Sequence, residues 1–134
     1  LNAMPLFHIG GISCNLLAPL VSGGTVVCLS QGFDPRSFLK ALGQPGPLQP
    51  TWYYASPSMH MAMASYAAQA ADDIDANLRL VRSAAAAMPP ALQQRLEKLF
   101  QCEVFATYGM SECMPVASRV CSKPFDDFRC QPLG

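Results

Sequence analysis

Apolar positions along this chain switch between two spacings, one suited to helices and one to short buried strands. After the pair Gly10-Gly11, residues Ile12, Leu16, Leu17 and Leu20 recur at helical spacing. Pro19 predicts a bend or an early end there, and Gly23-Gly24 closes the segment. Residues 25–29 are short, β-branched and apolar, which predicts a buried strand. Asp34-Pro35 reads as an N-cap followed by the first helical residue. Phe38, Leu39 and Leu42 form that helix's apolar face, and Gly43 stops it. Residues 44–50 carry three prolines and one glycine, hence a loop. A strand is expected over 51–55, then a helix from Ser56-Pro57 to about Ala70 with Met59, Met63 and Tyr66 on one face. A polar break over 72–77 precedes a strand over 78–81. Pro89-Pro90 opens a helix whose Leu92, Leu96, Leu99 and Phe100 make one stripe, with Gln93, Gln94, Glu97 and Lys98 facing away. A further strand covers 103–106, and residues 113–134 have no clear period and read as mostly loop.

Strands alternating with helices define an α/β fold with a mainly parallel sheet. Composition adds context. Of 134 residues, 51% are hydrophobic and only 13% charged, against about 25% charged in an ordinary globular domain. That balance suits the interior of a larger body, and the chain is expected to be an interior segment. Nine basic and nine acidic residues cancel, which removes the electrostatic footprint of a nucleic-acid or anionic-membrane binder. No apolar run reaches the roughly 18 residues of a membrane span. Six cysteines stand at 14, 28, 102, 113, 121 and 130, none in C-x-x-C spacing. The last four are separated by 11, 8 and 9 residues, which match no common zinc site. They read as free thiols of an intracellular, cytoplasmic protein.

The densest chemistry lies at Thr107, Tyr108, Gly109, Met110, Ser111 and Glu112, just after the apolar run Val104-Phe105-Ala106. Ligands of open α/β sheets gather at the carboxyl ends of strands. An aromatic face suits a base, a glycine permits close approach, a hydroxyl suits a phosphate, and a carboxylate suits Mg²⁺. The plainer alternative is a strand turning through Gly109, with Ser111 as a cap and Glu112 solvated. Two further segments bear on the choice. One is Met4-Pro5-Leu6-Phe7-His8-Ile9-Gly10-Gly11. The other runs from Leu78-Arg79-Leu80-Val81-Arg82-Ser83 through four alanines to Met88-Pro89-Pro90.

In this order and spacing, the three segments resemble the adenylate-forming superfamily of acyl-CoA synthetases, luciferases and peptide-synthetase adenylation domains. "P-L-F-H-x-x-G" is similar to the family's acyl-pocket histidine motif, "Y-G-M-S-E" to its "Y-G-x-T-E", and "S-A-A-A-A-M-P-P" to its "S-G-G-A-P-L-P-P" loop. The resemblance covers essentially the whole chain. It implies part of the large N-terminal AMP-binding domain over residues 1–134. It also implies ATP and Mg²⁺ as cofactors and a thiol acceptor, either coenzyme A or a carrier-protein phosphopantetheine. By the same resemblance His8 lies beside the carboxylate and reacting phosphate, and His8, Gly10, Gly11 and Met110 border the acyl pocket. Ala85, Ala86, Ala87, Thr107, Tyr108, Gly109, Met110 and Ser111 border the nucleotide, with Tyr108 stacking on adenine. Glu112 holds the metal, and His8, Ser111 and Glu112 carry the chemistry. Tyr53, Tyr54 and Met59 suggest an apolar acyl chain.

The chain departs from the pattern where Ala84, Ala85 and Ala87 replace Gly, Gly and Pro, and where Ser111 replaces Thr. An alanine forced to φ > 0 costs about 1–2 kcal/mol. The family's phosphate loop falls upstream of the histidine motif. Its ribose-binding aspartate, hinge and catalytic lysine fall downstream of the signature, so the mobile C-terminal domain is expected beyond this segment. The intact protein is thus expected to activate a small-molecule carboxylic acid as acyl-AMP and pass it to a thiol. The 134-residue segment alone is expected to be inactive. Two alternatives stay open: a non-catalytic adenylation-like segment used for binding or assembly, and a different α/β nucleotide enzyme with its phosphate loop elsewhere.

Overall fold

A computed structural model of the chain describes residues 1–30, 32–70 and 74–118. Its centre is a four-stranded sheet in the order β1-β2-β3-β4. These strands are β1 (Trp52–Ala55), β2 (Leu80–Ser83), β3 (Glu103–Met110) and β4 (Cys113–Ser118). The first three are parallel, with Tyr54 opposite Arg82 and Arg82 opposite Phe105. β4 returns antiparallel to β3, pairing Met110 with Cys113 and Thr107 with Ser118. The mainly parallel α/β sheet expected above is therefore present.

One face of the sheet carries Tyr53, Val81 and Val104, and all three are buried. It packs against α2 (Pro35–Leu42), α3 (Pro57–Ala70) and α4 (Pro90–Phe100) through Phe38, Leu42, Met63, Leu96 and Phe100. Tyr53 sits edge-on to Phe38, with ring centroids 4.9 Å apart, the geometry favoured by the ring quadrupoles. The helices start where their caps say. Asp34 Oδ2 accepts the Ser37 N–H at 2.8 Å, which holds the Asp34 carboxyl below the usual carboxylate range. Arg95 of α4 donates to the Ala64 carbonyl of α3 at 2.6 Å, tying the two helices together. Gln101 ends α4 in the left-handed region at φ 52°.

The opposite face carries Tyr54 and meets a π-helical segment (Gly10–Leu17) that runs on into α1 (Ala18–Val21). A Cβ on Gly10 would lie 2.7 Å from the Tyr54 hydroxyl oxygen. Glycine is what allows the helix to lie this close to the ring. Asn15 donates to the Tyr54 carbonyl at 3.0 Å and to Asn2 Oδ1 at 3.1 Å. It thereby satisfies the Tyr54 carbonyl and ties the π-helical segment to β1. The Leu1 amine also donates to the Trp52 carbonyl of that strand.

Five expectations shift. Residues 25–29 form no strand, only the single parallel bridge between Asn2 and Cys28. The strand expected at 78–81 begins two residues later, because its register is set by pairing with Trp52–Ala55. The strand expected at 103–106 continues to Met110, and residues 113–118 are a strand where a loop was expected. Pairing across the hairpin satisfies backbone groups that local propensity left open. Gln93 and Glu97, expected to face solvent, turn to the free edge of β3. Gln93 Nε2 donates to the Val104 carbonyl at 3.3 Å, and the Val104 N–H donates to Glu97 Oε1 at 3.4 Å. The expectation for residues 119–134 lies outside the described residues. Cys14, Cys28, Cys102 and Cys113 are free thiols.

Candidate nucleotide cleft

Beyond the carboxyl end of β2 the chain turns through four alanines. Ala84 is buried under the turn, while Ala85, Ala86 and Ala87 are exposed. Ala85 takes φ 73°, the left-handed region where a Cβ crowds the following carbonyl. This is the backbone shape for which glycine would be the unstrained choice. Ser83 lies beneath it, its hydroxyl 3.6 Å from the Met88 sulfur.

The alanine turn faces the second half of β3 across a cleft of about 560 Å³. Its walls are Ala85, Ala86, Ala87 and Met88 on one side, and Ala106, Thr107, Tyr108 and Gly109 on the other. Ala117 and Ser118 of β4 complete it. That volume falls in the range of about 300–1,000 Å³ typical of small-molecule sites. Small side chains leave backbone groups within reach of a ligand. Tyr108 is 61% exposed, so one aromatic face is open. Thr107 Oγ1 and Ser118 Oγ lie 3.1 Å apart, and Arg82 Nη2 donates to Ser118 Oγ at 3.0 Å. Hydroxyls and a guanidinium thus form a connected polar track at one wall.

Six of the residues singled out from sequence are brought together in this cleft: Ala85, Ala86, Ala87, Thr107, Tyr108 and Gly109. The others stand outside its lining. Ser111 and Glu112 form the two-residue turn of the β3–β4 hairpin, and both are exposed. Met110 is the last residue of β3 and 44% exposed. The signature was expected past a strand end. It is instead the strand itself, because β4 folds back on it. Gly109 packs closely under the returning strand: a Cβ there would meet Met114 Cγ at 3.2 Å, a tight contact.

His8 lies in the turn before the π-helical segment. Its Nδ1 accepts the Gly10 N–H at 3.0 Å, which leaves the ring proton of the neutral form on Nε2, as a donor. Gly11 is held against the Pro5 carbonyl with no space for a Cβ. The histidine segment and the signature hairpin meet where the Cys14 thiol lies 4.0 Å from the Met114 sulfur. Around that contact Met4, Tyr54 and Ala84 form a second small apolar cluster, with Cys14, Met59 and Met114 against it. Burial raises the Tyr54 phenol and the Cys14 thiol, and the Arg82 charge opposes both shifts. Tyr53, taken with Tyr54 and Met59 to suggest an apolar acyl chain, lies on the other face within the main core.

Among the described residues no three His, Cys, Asp or Glu side chains cluster as a metal cage. Glu112 is a single exposed carboxylate. That fits Mg²⁺, which keeps several waters and leans on substrate phosphates plus one or two carboxylates.

The sequence reading missed two polar groups at the cleft, Arg82 and Ser118, and one in the core, His60. Arg82 stood inside a quoted motif without a role, although a cation on a central strand is unusual enough to notice. Ser118 reaches the site only through the antiparallel hairpin and left no local signal. His60 of α3 is fully buried, its Nδ1 3.3 Å from the Tyr53 hydroxyl and its Nε2 without a hydrogen bond among the described residues. Burial lowers it from 6.5 to about 4, only partly offset by the backbone carbonyls of Arg82 and Ala55.

An open α/β sheet with a small-residue turn and an exposed tyrosine beside its strand ends has a cleft where such sheets place ligands. The chain belongs to the family of AMP-binding enzymes, whose model matches residues 1–133. It is 30% identical to an oxalate–CoA ligase of Arabidopsis thaliana over 116 residues, 86% of this chain and 22% of that protein. It is 32% identical to a sulfoacetate–CoA ligase of Cupriavidus necator, over 94% of this chain and 23% of that protein. A malonyl-CoA ligase solved with methylmalonyl-CoA and AMP bound shares the fold at TM-score 0.73 and 28% identity. That match covers 87% of this chain and 25% of the other. The chain therefore spans under a quarter of the curated relatives it matches here.

Proposed function

We propose that the intact protein is an ATP-dependent acid–thiol ligase, and that residues 1–134 supply part of its adenylation domain. The acid's carboxylate attacks the α-phosphorus of ATP, giving acyl-AMP and pyrophosphate. A thiol then displaces AMP to give the thioester. The observation that carries this reading is the cleft itself: the alanine turn and the Tyr108-Gly109 strand, far apart in sequence, form its two walls. The resemblance to CoA ligases favours coenzyme A as acceptor over a carrier-protein phosphopantetheine.

Each residue has a definable task. Tyr108 offers its exposed face to adenine, and the backbone of Ala85 to Ala87 meets the base edge. Thr107 donates to the nucleotide and Ser111 to a phosphate oxygen. The Nε2–H of His8 donates to the acid or to the phosphate as charge builds there, the kind of preorganised donor worth about 10²–10³ in rate. Gly10 and Gly11 keep the helix close enough for His8 to hold that place, and Met110 lies beside the reacting carbonyl. Glu112 is the residue that would hold Mg²⁺, which supplies charge neutralisation on the phosphates.

Two variants of the intact enzyme test this. His8→Ala should slow acyl-AMP formation about 10²–10³-fold while affecting thiol transfer from supplied acyl-AMP much less. Equal losses in both half-reactions would make His8 a structural residue. Glu112→Gln should raise the Mg²⁺ requirement of adenylation and shrink stabilisation by ATP with Mg²⁺, since a ligand stabilises only as far as it binds the folded state. Its melting temperature without nucleotide should stay put, because exposed substitutions usually change stability by under about 0.5 kcal/mol. Unchanged Mg²⁺ dependence would remove Glu112 from the site.

A further inference from the structure

Met114 bridges the signature hairpin and the helix that follows His8. On one side it packs under Gly109, where a Cβ would meet Met114 Cγ at 3.2 Å, and Gly109 belongs to one wall of the cleft. On the other side its sulfur lies 4.0 Å from the Cys14 thiol of the π-helical segment. Met4, Tyr54 and Ala84 are buried beside this contact, and Met59 packs against them. Ala84 leads directly into Ala85, the start of the opposite wall. The cluster thus adjoins both walls of the cleft and reaches across to the helix.

Its side chains are uncharged. Burial raises the Cys14 thiol and the Tyr54 phenol, so both stay protonated near neutral pH. Arg82, whose charge acts on both, directs Nη2 to Ser118 Oγ at 3.0 Å. The helix rests on the Tyr54 ring without slack, since a Cβ on Gly10 would lie 2.7 Å from the hydroxyl oxygen. We propose, resting on the ligase reading above, that this cluster is the floor of the acyl pocket, that Met114 sets its depth, and that the acid it admits is short and aliphatic. An acid held between His8 and a nucleotide in the cleft runs its tail toward the contact of Met114 with Cys14. Methionine normally adapts to fill irregular space. Here Gly109 and Cys14 hold it from both sides, so a longer tail meets a wall. A single methylene gained or lost in an apolar pocket changes kcat/KM about 10- to 200-fold, so one side chain is enough to set the length.

The test uses the intact enzyme and acid-dependent pyrophosphate exchange with acetate, propanoate, butanoate, hexanoate and octanoate, and with malonate and benzoate as polar and aromatic alternatives. The unaltered enzyme should prefer butanoate or a shorter acid to octanoate. Met114→Ala removes Cγ, Sδ and Cε, and should raise the ratio of octanoate to butanoate in kcat/KM at least about tenfold. Met114→Leu, which nearly conserves volume, should move that ratio far less. A ratio between acids cancels any effect of the truncation on the nucleotide wall at Gly109. Octanoate preferred by the unaltered enzyme would overturn the proposal and leave the ligase reading intact. So would a loss in Met114→Ala that is equal for every acid, or exchange with malonate or benzoate but none of the series. If Met114→Ala does not fold, Met114→Val should shift the ratio in the same direction, and an unchanged ratio overturns the proposal. If neither folds, the chain-length preference of the unaltered enzyme decides. No exchange with any acid would overturn both this and the ligase reading.

Discussion

Ala85→Gly should make the protein more stable, although it removes a side-chain carbon and adds freedom to the unfolded chain. Ala85 holds φ 73°, where a Cβ costs about 1–2 kcal/mol relative to glycine. Relief of that strain is offset by the unfolded-state entropy of glycine, about 0.4–1 kcal/mol. The lost methyl is exposed, so little burial is forfeited. The net expectation is a gain of about 0.5–1 kcal/mol, or roughly 1–4 °C in melting temperature for a domain of ordinary size. Ala86→Gly is the control. Ala86 is on the same turn and equally exposed, but its φ is not positive, so glycine there should cost about 0.4–1 kcal/mol. Thermal unfolding of the intact protein, followed for the transition of this domain, compares the two. Opposite signs are expected. Destabilisation by both, of similar size, would refute the strained-turn account. Strain stored at a ligand-facing turn is a common feature of functional sites, and its release in Ala85→Gly should loosen the cleft wall and weaken ATP-dependent stabilisation.

Gly10→Ala should destabilise by about 1–3 kcal/mol, the usual cost of overpacking, because its Cβ would run into the buried Tyr54 ring; denaturation that leaves it within 0.5 kcal/mol of the parent, as for about any surface change, would contradict that packing. Stability should fall as pH drops from about 6.5 to about 4, since His60 is neutral when folded but takes a proton when unfolded. The full effect of that one group is about 3 kcal/mol, and urea titrations of His60→Leu should show a correspondingly flatter acid limb. Tyr54→Phe should stabilise by about 1 kcal/mol, because it removes a buried hydroxyl with no partner among the described residues; a loss of stability in thermal melts would mean the hydroxyl is satisfied.

Elements with a strong local signal were legible before any coordinates. Asp34-Pro35 and Pro89-Pro90 marked the starts of α2 and α4 because capping and proline geometry are local. The stripe Leu92, Leu96 and Phe100 named its own buried face. What local chemistry does not encode was missed. Residues 113–118 have no period of their own and become a strand only because Thr107 to Met110 offer an edge to pair with. The same hairpin turned the signature from a loop into a strand and brought Ser118 to the cleft. Tyr53 and Tyr54 look alike in sequence, yet alternation along a strand sends one to the main core and the other to the π-helical segment. The alanine turn was read well because its difficulty is local: positive φ without glycine was foreseeable, and Ala85 adopts it.

The central claim is that the alanine turn and the signature strand form one nucleotide site. Backbone amide exchange of the intact protein, with and without a hydrolysis-resistant acyl-adenylate analogue, tests it most directly. Residues 84–88 and 106–109 should gain protection together at saturating analogue, and Tyr108→Ala should weaken both gains. Protection that appears elsewhere while these two segments exchange unchanged would contradict the account.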